Sequence, residues 1–247
     1  MYGMPAWFDL TTAEPAKAIE FYMQLFDWSA EPVVMTDYGK YIMFRRNGAP
    51  VAGLVERTGA TPQPDGWLTY LSTADISATI AAAQANRGGV QRPILEIPGI
   101  GTTAVLTDPA GSAIGVVRPD GDAEERAAGP TAPVWTELES VDWPLTFDFA
   151  TEVFALRTEI QSATPGSRFA TFHDENHPRG GIFELAPEIP HSRWEVAFLV
   201  DDAQQAVDRA VELGGTIVRP VYDIPVGTGL GARVADPSGA HFNFIAF

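Results

Sequence analysis

The residues able to do acid–base chemistry are unevenly placed. All four histidines, His173, His177, His191 and His241, lie in the second half of a 247-residue chain that has no cysteine. His241 leads a short apolar run with strict alternation, which puts its imidazole and the Asn243 amide on one face of a strand. The same alternation places Glu137 beside Trp135. A neutral imidazole near a carboxylate moves protons around neutral pH, and partial burial raises a carboxylate toward that range. The competing expectation is that Glu137 and Glu195 face water and His241 only hydrogen-bonds across its sheet. His173 and His177 also share a face, but a spacing of four on an extended strand separates them by roughly 13 Å. They share an ion only if a turn at Asn176 and Gly180 folds the chain back. Without cysteine there are no thiolate nucleophiles, disulfides, iron–sulfur clusters or cysteine zinc sites.

The elements that must carry these groups recur. Displacing the chain by 128 residues sets Trp7 on Trp135, Phe21 on Phe149, Phe44 on Phe172, Gly53 on Gly181 and Glu56 on Glu184. After one deleted residue, Trp67 falls on Trp194, Asp75 on Asp202 and Arg92 on Arg219; the original displacement then returns, aligning Asp108-Pro109-x-Gly111 with Asp236-Pro237-x-Gly239. Matched positions are mostly large apolar residues, Gly and Pro, so the repeat reports a shared fold. The segment from Pro119 to Pro133 lacks apolar periodicity. The organisation expected is a first domain over 1–120, a linker over 121–132 and a second domain over 133–247.

Each half divides again. Trp7 to Leu10 alternates as a strand; Ala16, Ile19, Tyr22, Met23 and Phe26 then recur at helical spacing behind Pro15, a first-turn residue. Strands follow at Tyr41 to Phe44 and Val51 to Val55 around an Arg-Asn-Gly turn. The order repeats with a strand at Trp67 to Leu71, a helix capped by Asp75 and stopped at Gly88-Gly89, and strands near Thr103 to Leu106 and Ala113 to Val117. The fold class predicted is α+β, built from four β-α-β-β-β modules. Asp-Pro-x-Gly reads as a turn, and the Gly-rich runs at 97–102 and 224–229 precede strands, where they do not cradle phosphate.

Four such modules, with Phe21-Tyr22 in the first helix and Asp-Pro-x-Gly before the last strand of each half, resemble the vicinal oxygen chelate superfamily. That superfamily holds glyoxalases, bleomycin-resistance proteins and extradiol dioxygenases. The resemblance covers essentially the whole chain and implies two glyoxalase-like domains whose curved mixed sheets enclose ligand cups. It implies inward residues Trp7, Asp9, Leu68, Tyr70, Ala113 and Gly115 in the front half, and Trp135, Glu137, Glu195, Ala197, His241 and Asn243 in the back half. His241, Glu195 and Glu137 are then the candidate catalytic residues, and Trp7, Asp9, Tyr70, Trp135 and Asn243 the candidate ligand contacts. Modules in the superfamily pair within a half or across halves, and both arrangements keep Glu195, His241 and Asn243 together.

Many members hold one divalent metal through residues of the first, fifth and eighth strands. Those positions are Trp7, Leu68 and Gly115 in front and Trp135, Glu195 and Asn243 behind, with Glu184 near a fourth. Trp, Leu and Gly offer a metal no side-chain oxygen or basic nitrogen, so no cofactor is expected in front; behind, one carboxylate and one amide leave a divalent metal as the disfavoured alternative to none. Arg168, Arg179 and Arg193 are candidates for a ligand carboxylate or for surface ion pairs.

Composition narrows the function. A formal charge of −16 disfavours nucleic acid and anionic lipid, and no apolar run approaches a membrane span. The first residues lack a secretory pattern, so a cytoplasmic monomer or homodimer with a small-molecule partner is expected. Of sixteen basic residues only Lys17 and Lys40 are lysine, a bias of GC-rich bacterial coding that fits natural-product biosynthesis or resistance. The function expected is binding of an aromatic or polycyclic metabolite without metal. The alternative is an isomerase, cyclase or lyase using His241 with Glu195 or Glu137. A metal-dependent lyase or dioxygenase, and a protein-interaction module, are the remaining readings.

Overall fold

The structure, a computed structural model, describes residues 2–36, 39–59, 65–121, 124–175, 177–224 and 228–247. Four β-α-β-β-β modules follow one another. The first is β1 (Pro5–Thr12), α1 (Pro15–Phe26), β2 (Ser29–Thr36), β3 (Gly39–Arg46) and β4 (Ala49–Glu56). The second is β5 (Gly66–Ser72), α2 (Ile76–Ala85), β6 (Gly89–Ile97), β7 (Gly101–Thr107) and β8 (Ala113–Pro119). The third is β9 (Pro133–Ser140), α3 (Trp143–Phe154), β10 (Arg157–Ser162), β11 (Phe169–His173) and β12 (Pro178–Glu184). The fourth is β13 (Arg193–Leu199), α4 (Ala203–Glu212), β14 (Thr216–Asp223), β15 (Leu230–Ala235) and β16 (His241–Ala246).

Local chemistry places the boundaries. Pro15 opens α1, where its missing N–H costs nothing. Asp75 and Asp202 cap α2 and α4 by accepting from the amides of Ala78 and Gln205. The β3–β4 hairpin turns at Asn47 and Gly48, both at positive φ, the pair of conformations a two-residue hairpin of this hand requires. Each half contributes one eight-stranded mixed sheet: one contains the runs β2-β3-β4-β1 and β5-β8-β7-β6, the other β10-β11-β12-β9 and β13-β16-β15-β14. Within each run the first strand of the module lies parallel to its last, as in β1 with β4 and β13 with β16.

Packing groups the modules differently from the sheets. One compact unit comprises 1–8, 68–123 and 136–194; the other comprises 9–67, 124–135 and 195–247. In the second unit the core is aromatic. Phe26, Trp28 and Phe198 meet at centroid distances of 4.8 to 5.7 Å, and Tyr22 packs on Phe44, Trp67 and Phe242. The Tyr22 hydroxyl accepts from Trp67 Nε1 and donates to Asp236 Oδ2, each at 3.1 Å. Burial first, then the Asp236 charge, holds this phenol well above the usual 10.0. In the first unit the equivalent aspartate does the same with a helix residue: Asp108 Oδ2 accepts from Thr146 of α3.

Asp-Pro-x-Gly is therefore more than a turn. One carboxylate oxygen closes the turn, by accepting from Ser112 N or Ala240 N, and the other reaches a helix of the opposite half of the sequence. The segment read as a linker is also seated. Arg45 binds Glu124, Ala127 N donates to Pro50 O, and Thr131 N donates to Leu199 O.

Candidate functional site

On β13 and β16 apolar and polar residues alternate with opposite destinations. Phe198, Phe242 and Phe244 point into the aromatic core, so Glu195, Ala197, His241 and Asn243 occupy the other face. Parallel pairing sets Ala197 against Asn243, and antiparallel pairing sets Asn243 against Arg233 and His241 against Ala235. The face thus carries a short polar row. Glu195 is fully buried at 0% exposure. Its Oε2 lies 3.5 Å from Asn243 Nδ2 and 3.6 Å from Arg233 Nε, and its Oε1 lies 3.7 Å from His241 Nδ1. Arg233 Nε donates to Asn243 Oδ1 at 3.2 Å. The His241 side chain is 33% exposed, so one edge of the ring meets solvent while Nδ1 is buried beside the carboxylate.

This arrangement brings together Glu195, His241 and Asn243, and adds Arg233, which strand alternation alone did not single out. Its signal was present in the repeat: the front-half counterpart of Arg233 is Val105, so a charge stands where the other copy has an apolar residue.

The same unit holds Asp9, buried at 1%, whose Oδ1 accepts from the Tyr41 hydroxyl at 2.6 Å. Gly53 is paired with Asp9, and a Cβ there would stand 1.9 Å from Tyr41 Oη, so only glycine admits this contact. Trp135, in this unit too, is half-buried.

In the other unit, Trp7 is 3% exposed and Tyr70 is fully buried. The Tyr70 ring lies over Gly115, where a Cβ would meet it at 2.5 Å, and its hydroxyl accepts from Arg92 Nη2 at 2.6 Å. Arg92 is itself buried, at 3%. Glu137 is half-buried on β9 opposite Gly181, and the neighbouring acid Glu139 pairs with Arg193 at 2.8 Å.

Several of the other titratable candidates have internal partners. Glu184 accepts from the backbone N–H groups of Arg168 and Gly166 and from the Arg168 guanidinium. The Arg168 N–H chiefly, then Gly166 and the Arg168 charge, hold its carboxyl below the usual 4.5. Arg179 pairs with Asp174. His173 Nε2 contacts Thr171 Oγ1 at 2.7 Å, and His177 donates its backbone N–H to Asp174. Asn176 and part of the run at 224–229 lie outside the described residues. Among the described residues no three His, Asp or Glu side chains converge as a metal site.

With the fold and face in hand, comparison with known proteins identifies the class. Residues 5–116 match the model of the glyoxalase/bleomycin resistance protein/dioxygenase superfamily, and residues 127–245 match that of a glyoxalase-like domain. The chain belongs to this superfamily. Among full-length relatives, the anthracycline biosynthesis protein DnrV of Streptomyces peucetius is 31% identical over 260 residues, covering 98% of this chain and 93% of its own. The Mn(II)-bound glyoxalase of Novosphingobium aromaticivorans shares the fold with TM-score 0.72 at 17% identity, over 99% of this chain and 82% of that one. The 2,3-dioxygenase LapB of Pseudomonas sp. KL28 has TM-score 0.70 at 15% identity, over 99% and 92%. No helix among the described residues is long and apolar enough to cross a membrane.

Proposed function

We propose that this protein binds an aromatic or polycyclic small molecule on the β13–β16 face and moves a proton on it through His241. The observation that carries the proposal is the pairing of a part-exposed imidazole, through Nδ1, with a fully buried carboxylate. Arg233 and Asn243 engage Oε2 of Glu195, which directs Oε1 toward His241. When Nε2 takes a proton from a ligand, the imidazolium that forms is stabilised by Glu195, the role a carboxylate plays behind a catalytic histidine. A separation of 3.7 Å is longer than a hydrogen bond, and such pairs shorten when ligand excludes water. Glu195 is a positioning residue in this reading. Asn243 and Trp135 contact the ligand. Trp7, Asp9 and Tyr70 are assigned to the body of the protein because they are almost completely buried and Asp9 and Tyr70 have protein partners. Glu137 enters no step.

The proposed chemistry is metal-free. Metal–carboxylate bonds are about 2.0–2.2 Å long, and Arg233 already places a cation 3.6 Å from the one carboxylate at the family's metal position. The remaining donors there are an amide and an indole. The back half is the working half: its Ala197, Asn243 and Arg233 replace the front half's Tyr70, Gly115 and Val105, where protein side chains fill the equivalent space. The anthracycline-pathway name of the relative DnrV supports a polycyclic aromatic ligand and a place in natural-product metabolism.

The test is a set of aromatic polyketide substrates incubated with wild type, His241→Ala and Glu195→Gln. Product formation that stops in His241→Ala, with affinity kept within a few-fold, establishes the enzyme. Unchanged substrate after long incubation with wild type, despite binding, makes the protein a carrier or sequestering protein and sinks the proton-transfer reading. Native mass spectrometry of the untagged protein checks the metal: a chelator-removable divalent ion would overturn the metal-free chemistry.

A further inference from the structure

The polar row does not end at Arg233. Strand β14 pairs with β15 so that Arg219 stands directly opposite Arg233, and Tyr222 opposite Gly231. Directly paired residues of antiparallel strands project to the same face, with Cβ atoms about 4.5–5.5 Å apart. The two arginine side chains therefore start side by side on the face that carries His241 and Asn243, Arg233 reaching toward Asn243 and Glu195. The register slips on both sides of Arg219, between Ile217 and Arg219 and again before Tyr222. Such bulges re-aim side chains, and here they turn Arg219 over the ring of Tyr222, with Cζ 3.5 Å from its centroid. Tyr222 lies flat because its partner is Gly231, where a Cβ would come within 2.7 Å of the ring. The stack favours one orientation of a planar, exposed guanidinium.

Like charges set opposite each other are unfavourable unless something negative lies between them. Glu195 serves Arg233. Arg219 makes no salt bridge with any of the described residues. The front half shows what happens when this arginine is used internally: its counterpart Arg92 is buried and donates to Tyr70. The counterpart of Tyr70 behind is Ala197, whose methyl group offers no such acceptor.

We propose that Arg219 and Arg233 form a subsite for a carboxylate on an aromatic ligand, held between the two guanidinium groups with its ring system extending toward His241. Arginine suits this role because its planar fork matches a carboxylate. The subsite gives an otherwise acidic protein, of net charge −16, a local positive element that selects an acid over its neutral analogue. The inference rests on the β13–β16 face being the ligand face, and does not depend on proton transfer.

The experiment compares 2-naphthoate with the neutral 2-naphthamide by isothermal titration calorimetry at low salt, and maps both by amide chemical shifts. The acid is expected to bind about tenfold more tightly, the worth of one charged hydrogen bond, with shifts at Gly231, Tyr222 and Asn243. In Arg219→Gln the preference is expected to vanish while the amide's affinity is kept. Equal affinities in wild type, or a preference that survives Arg219→Gln, overturn the subsite. Amide binding that shifts β13–β16 while the acid gains nothing overturns the subsite alone. If neither compound binds, or both shift residues away from this face, the subsite and the ligand-face reading both fail.

Discussion

Replacing Tyr22 with Phe removes one oxygen and leaves the packing of a fully buried ring otherwise intact. That oxygen has two partners at 3.1 Å: it accepts from Trp67 Nε1 and donates to Asp236 Oδ2. Asp236 is 2% exposed, and its other oxygen still accepts from Ser238 and Ala240 in the variant. Oδ2 is left buried without this donor, and the indole N–H without this acceptor. An unmade bond to a buried group costs about 1–3 kcal/mol, so the pair of losses is on the order of 3 kcal/mol. For a chain of this size each kcal/mol moves the midpoint by roughly 2–4 °C, which predicts a fall of about 6–12 °C. Thermal unfolding followed by circular dichroism at neutral pH measures it. A double-mutant cycle with Asp236→Asn should show coupling rather than additivity. The alkaline limb gives a second reading. Because the folded phenol titrates above 10.0, Tyr22's contribution is complete below that pH and is lost as pH rises toward the folded value. Wild type should therefore lose stability above pH 10 more steeply than Tyr22→Phe. A midpoint shift below about 2 °C, or a cycle that is simply additive, would refute the staple.

Two further outcomes follow from contacts elsewhere. Gly53→Ala forces a Cβ into Tyr41 Oη and should cost about 1–3 kcal/mol by urea unfolding; adding Tyr41→Ala should destabilise by less than the sum of the singles, and full additivity would show that the close approach is not what glycine serves. Glu184, held below 4.5 chiefly by the Arg168 N–H, stabilises the fold above that pH and loses its effect as pH falls through its folded value. Glu184→Gln should lower the urea midpoint at neutral pH and flatten its decline below about pH 4.5, whereas parallel acid limbs would remove Glu184 from the linkage.

The module order was legible because its markers are local. Pro15, Asp75, Asp202 and the Asn47-Gly48 turn each act within a few residues, and the repeat doubled the aspartate cap. Strands β2, β6, β10 and β14 were only implied by module count. They close the ends of their four-strand runs, and β14 exposes nearly every residue, so no alternation marks it. The grouping of His241 with Asn243 followed from period-two alternation. Arg219 did not, because two bulges in β14 break that period. Tyr41 over Gly53 is a contact between strands that residue type alone does not announce. The second role of Asp-Pro-x-Gly was hidden for the same reason: Asp236 and Tyr22 are 214 positions apart.

That separation bears on how the duplicated chain is inherited. Each sheet is drawn from one half of the sequence, but each compact unit takes most of one module from each half, the divisions falling within β1, β5, β9 and β13. A fragment ending at the repeat boundary would carry the aromatic surface of Tyr22, Phe26 and Trp67, whose complement at Phe198 and Phe242 lies in the missing piece. Separately expressed halves should accordingly be recovered as a reassembled pair and not as two autonomous proteins. In the front copy Tyr70 and Arg92 fill the positions that correspond to Ala197 and Arg219 behind, and that copy still supplies part of each unit.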